Sequence, residues 1–300
     1  MGINHSGRGY LQSVPGYNGP AELAGDDVQR VSRALLLLTT AAEKITFETA
    51  SVAPPTQSIA HRLFGTDTGH AIDGFITMQF ANMSAYDHVR GFVALLRTAT
   101  VRSTALATVA RGTLESLART WYLLEHAEDN FFYRTISLLH SDLRYPVLLD
   151  ETVNTRDGDP VDPVAKRAFY AGELTRLGLP APAKTDLSLM VAAMLDAEMR
   201  QNDGRKRYSA LSSVAHAHRL GINTFITTTE HGEITGLAAP RPVVIDMAGQ
   251  LVAALYGTSR VFVEFYGDQT RHIELLEAAM ERSLQALSPV TGSIWSDSED

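Results

Sequence analysis

Apolar residues return at every third or fourth position through most of the chain, which at 3.6 residues per turn gathers them on one side of a helix. The longest such run that also carries an ordered set of charges is Val101–His126, where Leu106, Val109, Ala110, Leu114, Leu117, Trp121 and Leu124 make an inward stripe. On the other side Arg111, Glu115 and Arg119 stand one turn apart in a ladder that Tyr122 and His126 continue. Upstream, the pattern predicts a helix over Glu22–Ala50, capped by Asp26 or Asp27, burying Val28, Val31, Leu35, Leu38, Ala42 and Ile45, and ended by Pro54 and Pro55. The residues up to about Asn82 mix Gly65, Gly69 and Gly74 with Leu63, Phe64, Phe75, Ile76 and Phe80. They read as a long connection containing a short helix.

From Ser84, which can cap a helix through Leu96, helices follow one another. After Val101–His126 come Asn130–Leu143, broken by Pro146, and an acidic surface loop over Asp150–Pro163. Further helices are predicted over Val164–Leu177, Asp186–Arg200, Arg205–Leu220, Val243–Tyr266 and Thr270–Leu287. No alternating run of strand length appears outside the segment before Ser84. The expected fold is an all-α multi-helix bundle. It comprises a flexible arm over 1–20, a helix and long connection over 21–83, a main bundle over 84–287 and a disordered acidic tail over 288–300.

Composition narrows the chemistry. The 300 residues are 45% hydrophobic and 20% charged, which excludes a chain disordered throughout. A formal charge of −8 works against general affinity for phosphate backbones or anionic lipid. There are no cysteines, so disulfides, thiolate nucleophiles and thiolate-bound metals are excluded. The N-terminus has no basic segment leading into an apolar run, and Val243–Tyr266 is interrupted by Asp246, Gln250, Arg260 and Glu264. A cytoplasmic protein with no membrane span is expected. Phosphate-binding loops, dinucleotide fingerprints, nucleophile elbows and His–Glu metal motifs are all missing, so neither a cofactor nor a metal is expected. His216 and His218, two apart on one helix, would turn about 200° from each other and could not share a metal.

Three polar sets remain as candidate chemistry. In the ladder, Glu115 is a candidate general base, with Arg111 and Arg119 to hold an anionic group. On the helix Arg205–Leu220, Tyr208, Ser212 and His216 fall on one side, and each can donate or accept a proton. Asp87 and His88 are adjacent, pointing about 100° apart, so only one of them would face a shared site. Arg260 lies in a narrow polar stripe with Asp246, Gln250, Gly257 and Glu264 on an otherwise apolar helix.

The ordered segments AYDHVRGF, RGTLESLARTWYLLE and RYSALSSVAHA resemble a set of uncharacterised, mostly actinobacterial all-helical proteins. These are similar in turn to the DUF5677-like group, with its Arg-x-x-x-Glu and Tyr-x-x-x-Ser-x-x-x-His helices. That group has been thought similar to the HEPN superfamily, whose nuclease members use an Arg-x(4 to 6)-His motif without a metal, a spacing that Arg119 and His126 satisfy. The resemblance implies a ribonuclease or defence effector acting on RNA. Arg119 would stabilise the scissile phosphate, His126 or His216 would act as acid or base, and two protomers would combine as a homodimer. The residues themselves allow two other readings. One is a cofactor-independent enzyme of small-molecule metabolism with Glu115, Arg119, Tyr208, Ser212 and His216 around a bundle-core pocket. The other is a helical binding or scaffold protein with no chemistry. Both depend on whether the two polar helix faces meet.

Overall fold

The computed structural model describes residue 23 and residues 25–98, 103–154, 158–229, 231–267 and 270–295. It is an all-α multi-helix bundle. The long helices are α1 (Gly25–Ala50), α3 (Thr68–Arg97), α4 (Thr104–Leu124), α11 (Arg241–Tyr266) and α12 (Thr270–Trp295). Between them lie α2 (Ile59–Thr66), α5 (Ala127–Asp142), α6 (Arg144–Leu149), α7 (Pro163–Arg176), α8 (Leu187–Met199), α9 (Gly204–Ala215) and α10 (Arg219–Asn223).

The centre of the bundle is where α1, α3, α4 and α11 pack on one another, with α12 laid along α1 and α11. Leu35, Leu38 and Ile45 of α1, Met78 and Phe92 of α3, Leu106 and Leu114 of α4, and Leu251 and Leu255 of α11 are fully buried there. Each such side chain contributes about 1.5–3 kcal/mol of burial. Helices α8 and α9 lean on α4 from one side, and α5 carries α7 on the other. Arg241 joins three helix ends, donating from Nε to Asp27 Oδ2 at 2.9 Å in the first turn of α1 and from Nη2 to the Val290 carbonyl at 3.0 Å in α12. No helix among the described residues is long and apolar enough to cross a membrane.

The structure corrects the expected elements in five places. The expected long connection before Ser84 is largely helix. Ser58 Oγ caps α2 by accepting from the His61 amide, and Asp67 caps α3 by accepting from that of His70. Ser84 therefore sits inside α3, and the expected boundary at 83/84 crosses a continuous helix. Gly74 is a close approach rather than a break. A Cβ there would lie 2.5 Å from the Phe131 ring and 2.6 Å from Thr135 Oγ1 of α5. Helix α5 ends at Asp142, whose carbonyl a Pro146 amide would have bonded, but the chain turns helical again at once, with Pro146 in the first turn of α6, where a missing amide proton costs nothing.

The loops hold two short antiparallel hairpins, β1 (Val153–Asn154) with β2 (Pro160–Val161), and β3 (Ile226–Thr228) with β4 (Ile234–Leu237). Helix α12 runs through Pro289 to Trp295, so the first part of the expected disordered tail is helical. Residues 296–300 and the expected arm over 1–20 lie outside the described residues, as do Val101 and Arg102.

The fifth correction shapes the site. The helix expected over Arg205–Leu220 ends at Ala215. The His218 amide donates to the Ser213 carbonyl at 2.8 Å, the Ala217 amide donates to that of Val214 at 2.9 Å, and Ala217 takes φ 54°. This is the double-bonded helix stop that usually has glycine in the left-handed place, and here alanine fills it. The chain then turns back, and α10 comes so close to α9 that a Cβ on Gly221 would be 2.7 Å from the Ser213 carbonyl carbon and the Val214 nitrogen.

Gly74→Ala is expected to lower stability. Phe131 is held by stacking on Phe265 at 5.4 Å and cannot give way. The overpacking cost of about 1–3 kcal/mol outweighs a helix-propensity gain of at most about 1 kcal/mol. A lower urea midpoint with an unchanged slope would confirm it.

Candidate functional site

The two polar helix faces meet. Glu115 of α4 accepts at Oε1 from Arg111 Nε and from the Tyr208 hydroxyl of α9, both at 2.7 Å. Arg111 spans the seam further. Its Nη1 donates to His216 Nε2 at 2.8 Å, and its guanidinium carbon stands 5.5 Å from the centre of the Tyr208 ring. A guanidinium only donates, so His216 accepts through an unprotonated nitrogen and the ring is neutral in this contact. The side chains of Arg111 and Glu115 are 21% and 22% exposed, and Tyr208 is buried.

Local sequence explains the geometry. The i,i+4 spacing aligns Arg111 with Glu115 on α4, while Tyr208 and His216 fall two turns apart on α9. His216 reaches α4 because it is the residue on which α9 ends.

Burial and the Glu115 carboxylate push the Tyr208 phenol up to about 12. Although burial opposes it, the hydrogen bond and charge of Glu115 raise Arg111 above its ordinary range. The phenol is therefore a committed donor and the guanidinium a committed cation near neutral pH. Glu115 Oε1, Arg111 Nε and Nη1, the Tyr208 hydroxyl and His216 Nε2 are all paired with one another. The cluster latches α4 to α9.

The other expected site residues lie elsewhere. Arg119 turns away from Glu115 and makes a bidentate pair with Asp142 of α5, 3.0 Å through each nitrogen. His126 is outside the helix that was expected to include it. It occupies the left-handed turn between α4 and α5 with φ 52°, is 73% exposed and stands 3.7 Å from Glu125. Tyr122 does not extend the ladder either, since Arg134 stacks 4.6 Å over its ring and donates to the carbonyls of Tyr122 and Glu125 at the end of α4.

Ser212 contributes its carbonyl, which accepts from the His216 amide at 3.0 Å. Asp87 is exposed, while His88 is half-buried with its ring packed over Gly112. Arg260 pairs with Glu198 of α8 and Glu264, both at 3.6 Å. His216 and His218 are not turned apart as expected. Because α9 ends before them, their ring centres lie 6.0 Å from each other. No group of three or more His, Asp or Glu side chains among the described residues is placed to hold a metal ion.

The opposite side of α9 carries what periodicity did not reveal. With α10 and the start of α11 it walls a groove of about 580 Å³, lined chiefly by apolar atoms of Ala210, Val214, Leu220, Phe225, Val243 and Met247. Gln250 of α11, only 2% exposed, also lines it. The Gln250 Nε2 donates to Asp246 Oδ2 at 2.7 Å, while its Oε1 is buried with no partner. Turning the amide over would set oxygen against carboxylate, so the orphan acceptor is fixed in place. Asp246 is itself held by Arg207, which also bonds Asp203 at 2.8 Å. Asp246 and Gln250 belong to the polar stripe visible in the sequence, but Arg207 has no sequence signal that marks it.

Compared with protein-family models, curated proteins and solved structures, the chain has no match.

Tyr208→Phe is expected to cost about 1 kcal/mol, because Glu115 keeps its guanidinium partner. The substitution also changes the alkaline limb of stability. The folded phenol titrates near 12 and the unfolded one near 10. The unfolded chain thus loses its proton first, and this part of the stability is complete below pH 10 and falls between pH 10 and about 12. Urea melts across that range should show a shallower decline for Tyr208→Phe than for the wild type. Their difference in phenolate absorbance should titrate near 12.

Proposed function

We propose that the protein is a small-molecule-binding helical bundle whose ligand lies in the groove between α9, α10 and α11. The observation that carries this reading is the Gln250 carbonyl. A buried acceptor left unmade costs about 1–3 kcal/mol, and this one belongs to a residue lining a mostly apolar cavity. Its oxygen is covered by its neighbours, so a ligand that displaces them and brings an N–H or O–H to that acceptor recovers the loss. The rest of its surface would be apolar, to match the aliphatic walls. The volume is within the range of small-molecule sites, which run from about 300 to 1,000 Å³.

The polar cluster on the other side of α9 has a supporting part here. By fixing Tyr208 and His216 to α4 it sets the position of the helix that forms the groove wall. A ribonuclease built on Arg119 and His126 draws no support from their placement, since one is paired to Asp142 and the other stands in an exposed turn.

The test uses N-phenyl-1-naphthylamine, a neutral apolar fluorophore with one N–H. Its emission should rise and shift to the blue with the wild-type protein. Gln250→Met should weaken binding by about tenfold, the loss of one buried hydrogen bond. Val243→Trp, which fills the groove from its rim, should abolish it. Unchanged affinity in both variants would remove the groove as the site.

A further inference from the structure

A chain with a formal charge of −8 has little reason to gather cations without carboxylates opposite them. It does so where the end of α5, the start of α6, the middle of α7 and the segment entering α8 come together. His140, Arg144, Arg167 and Lys184 line a recess there of about 260 Å³. Among the described residues, Arg144, Arg167 and Lys184 enter no ion pair, and Arg167 Nε is buried with no hydrogen-bond partner. The hydrogen bond from Ser188 lowers the Asp186 carboxyl, and Lys184 adds the smallest pull. The Ser188 hydroxyl and amide hold that carboxylate at the cap of α8 through one of its oxygens, Oδ1. Burial and then repulsion by Arg167 lower His140 below the usual imidazole range, so the ring stays neutral among the cations.

The recess opens beside a second one. Ser141, Arg144 and Lys184 also line an adjoining cleft of about 420 Å³, which has Leu138, Leu187 and Met190 on its wall and the Arg119–Asp142 pair along it. Taken together, the two hold the cations Arg119, Arg144, Arg167 and Lys184 against the carboxylates Asp142 and Asp186.

We propose that the recess binds the phosphoryl group of a small phosphate monoester, the remainder of which lies in the adjoining cleft. A tetrahedral dianion can accept at once from donors that converge from α5, α6, α7 and the 182–184 segment, and guanidinium groups suit it best. The volume fits one terminal group. A single dianion responds to the local field, whereas a long polyanion meets the repulsion of the whole acidic surface. This site is separate from the α9–α10–α11 groove and does not depend on it, since the neutral naphthylamine probes one and charged phosphates the other.

Inorganic phosphate and phenyl phosphate, titrated at constant ionic strength, test the proposal through the His140 ring resonances. Either anion should raise the His140 pKa by offsetting Arg167, and phenyl phosphate should bind more tightly because it also fills the cleft. Lys184 is exposed on a loop, so Lys184→Ala leaves the fold intact, and it should weaken both anions by about tenfold, as should Arg167→Gln. An unresponsive His140, or unchanged affinity in Lys184→Ala, would overturn the proposal. So would tighter binding of a single-stranded oligonucleotide without terminal phosphates than of phenyl phosphate, which would make the cleft a track for a polyanion.

Discussion

Glu115 is a carboxylate drawn into a helix seam, and it can stay there because a guanidinium and a phenol both donate to one of its oxygens. A buried charge without such partners would cost several kcal/mol. With them, the same charge becomes a constraint on position. Tyr208 can satisfy Glu115 in only a narrow range of α9 placements, and His216 can accept from Arg111 only if α9 ends where it does. The apolar packing of Leu211 and Val214 would tolerate small slides along α4, whereas the hydrogen bonds do not. The latch thus fixes α9 in register, and the groove on its other side inherits that register.

The same logic recurs around the bundle. Core burial supplies the bulk of the stabilisation, while charged side chains at helix ends decide alignment. Arg241 aligns α11 with α1 and α12, Arg134 closes the exposed carbonyls at the end of α4, and Arg176 ties α7 to the cap of α3 through Asp67 at 2.9 Å. A cation at the C-terminal end of a helix also interacts favourably with its dipole, as Arg134 does at the end of α4 and Arg176 in the last turn of α7. Arg241, in the first turn of α11, relies on its hydrogen bonds instead.

Much of this could be read in the residues. The stripe Leu106, Ala110, Leu114, Leu117, Trp121 and Leu124 is buried as its spacing requires, and the meeting of Glu115 with Tyr208 follows from two polar faces on helices that share a core. Helix α3 was hidden because Ile72, Phe80 and Met83 stand exposed on its outer side, so its apolar residues do not keep to the buried stripe. Gly74, which looks like a breaker, serves a close helix crossing. The end of α9 was hidden because Ala217 stands where glycine would have announced a stop. Arg119 was misplaced for another reason. A ladder predicts intrahelical neighbours, but its nearest good acceptor came from α5, and tertiary partners leave no trace in local spacing. The unpaired Gln250 oxygen is likewise a property of the assembled packing.

The left-handed alanine between α9 and α10 has a mechanical consequence. A non-glycine residue in that conformation carries a cost of about 1–2 kcal/mol, repaid by the two backbone bonds that close the helix and by the tight seating of Gly221 on Ser213 and Val214. Wall and lip of the groove are thus joined by a sprung corner rather than a relaxed one. Leu220, 81% exposed, projects from just beyond it, so the most exposed large apolar side chain among the described residues stands beside a joint held under tension.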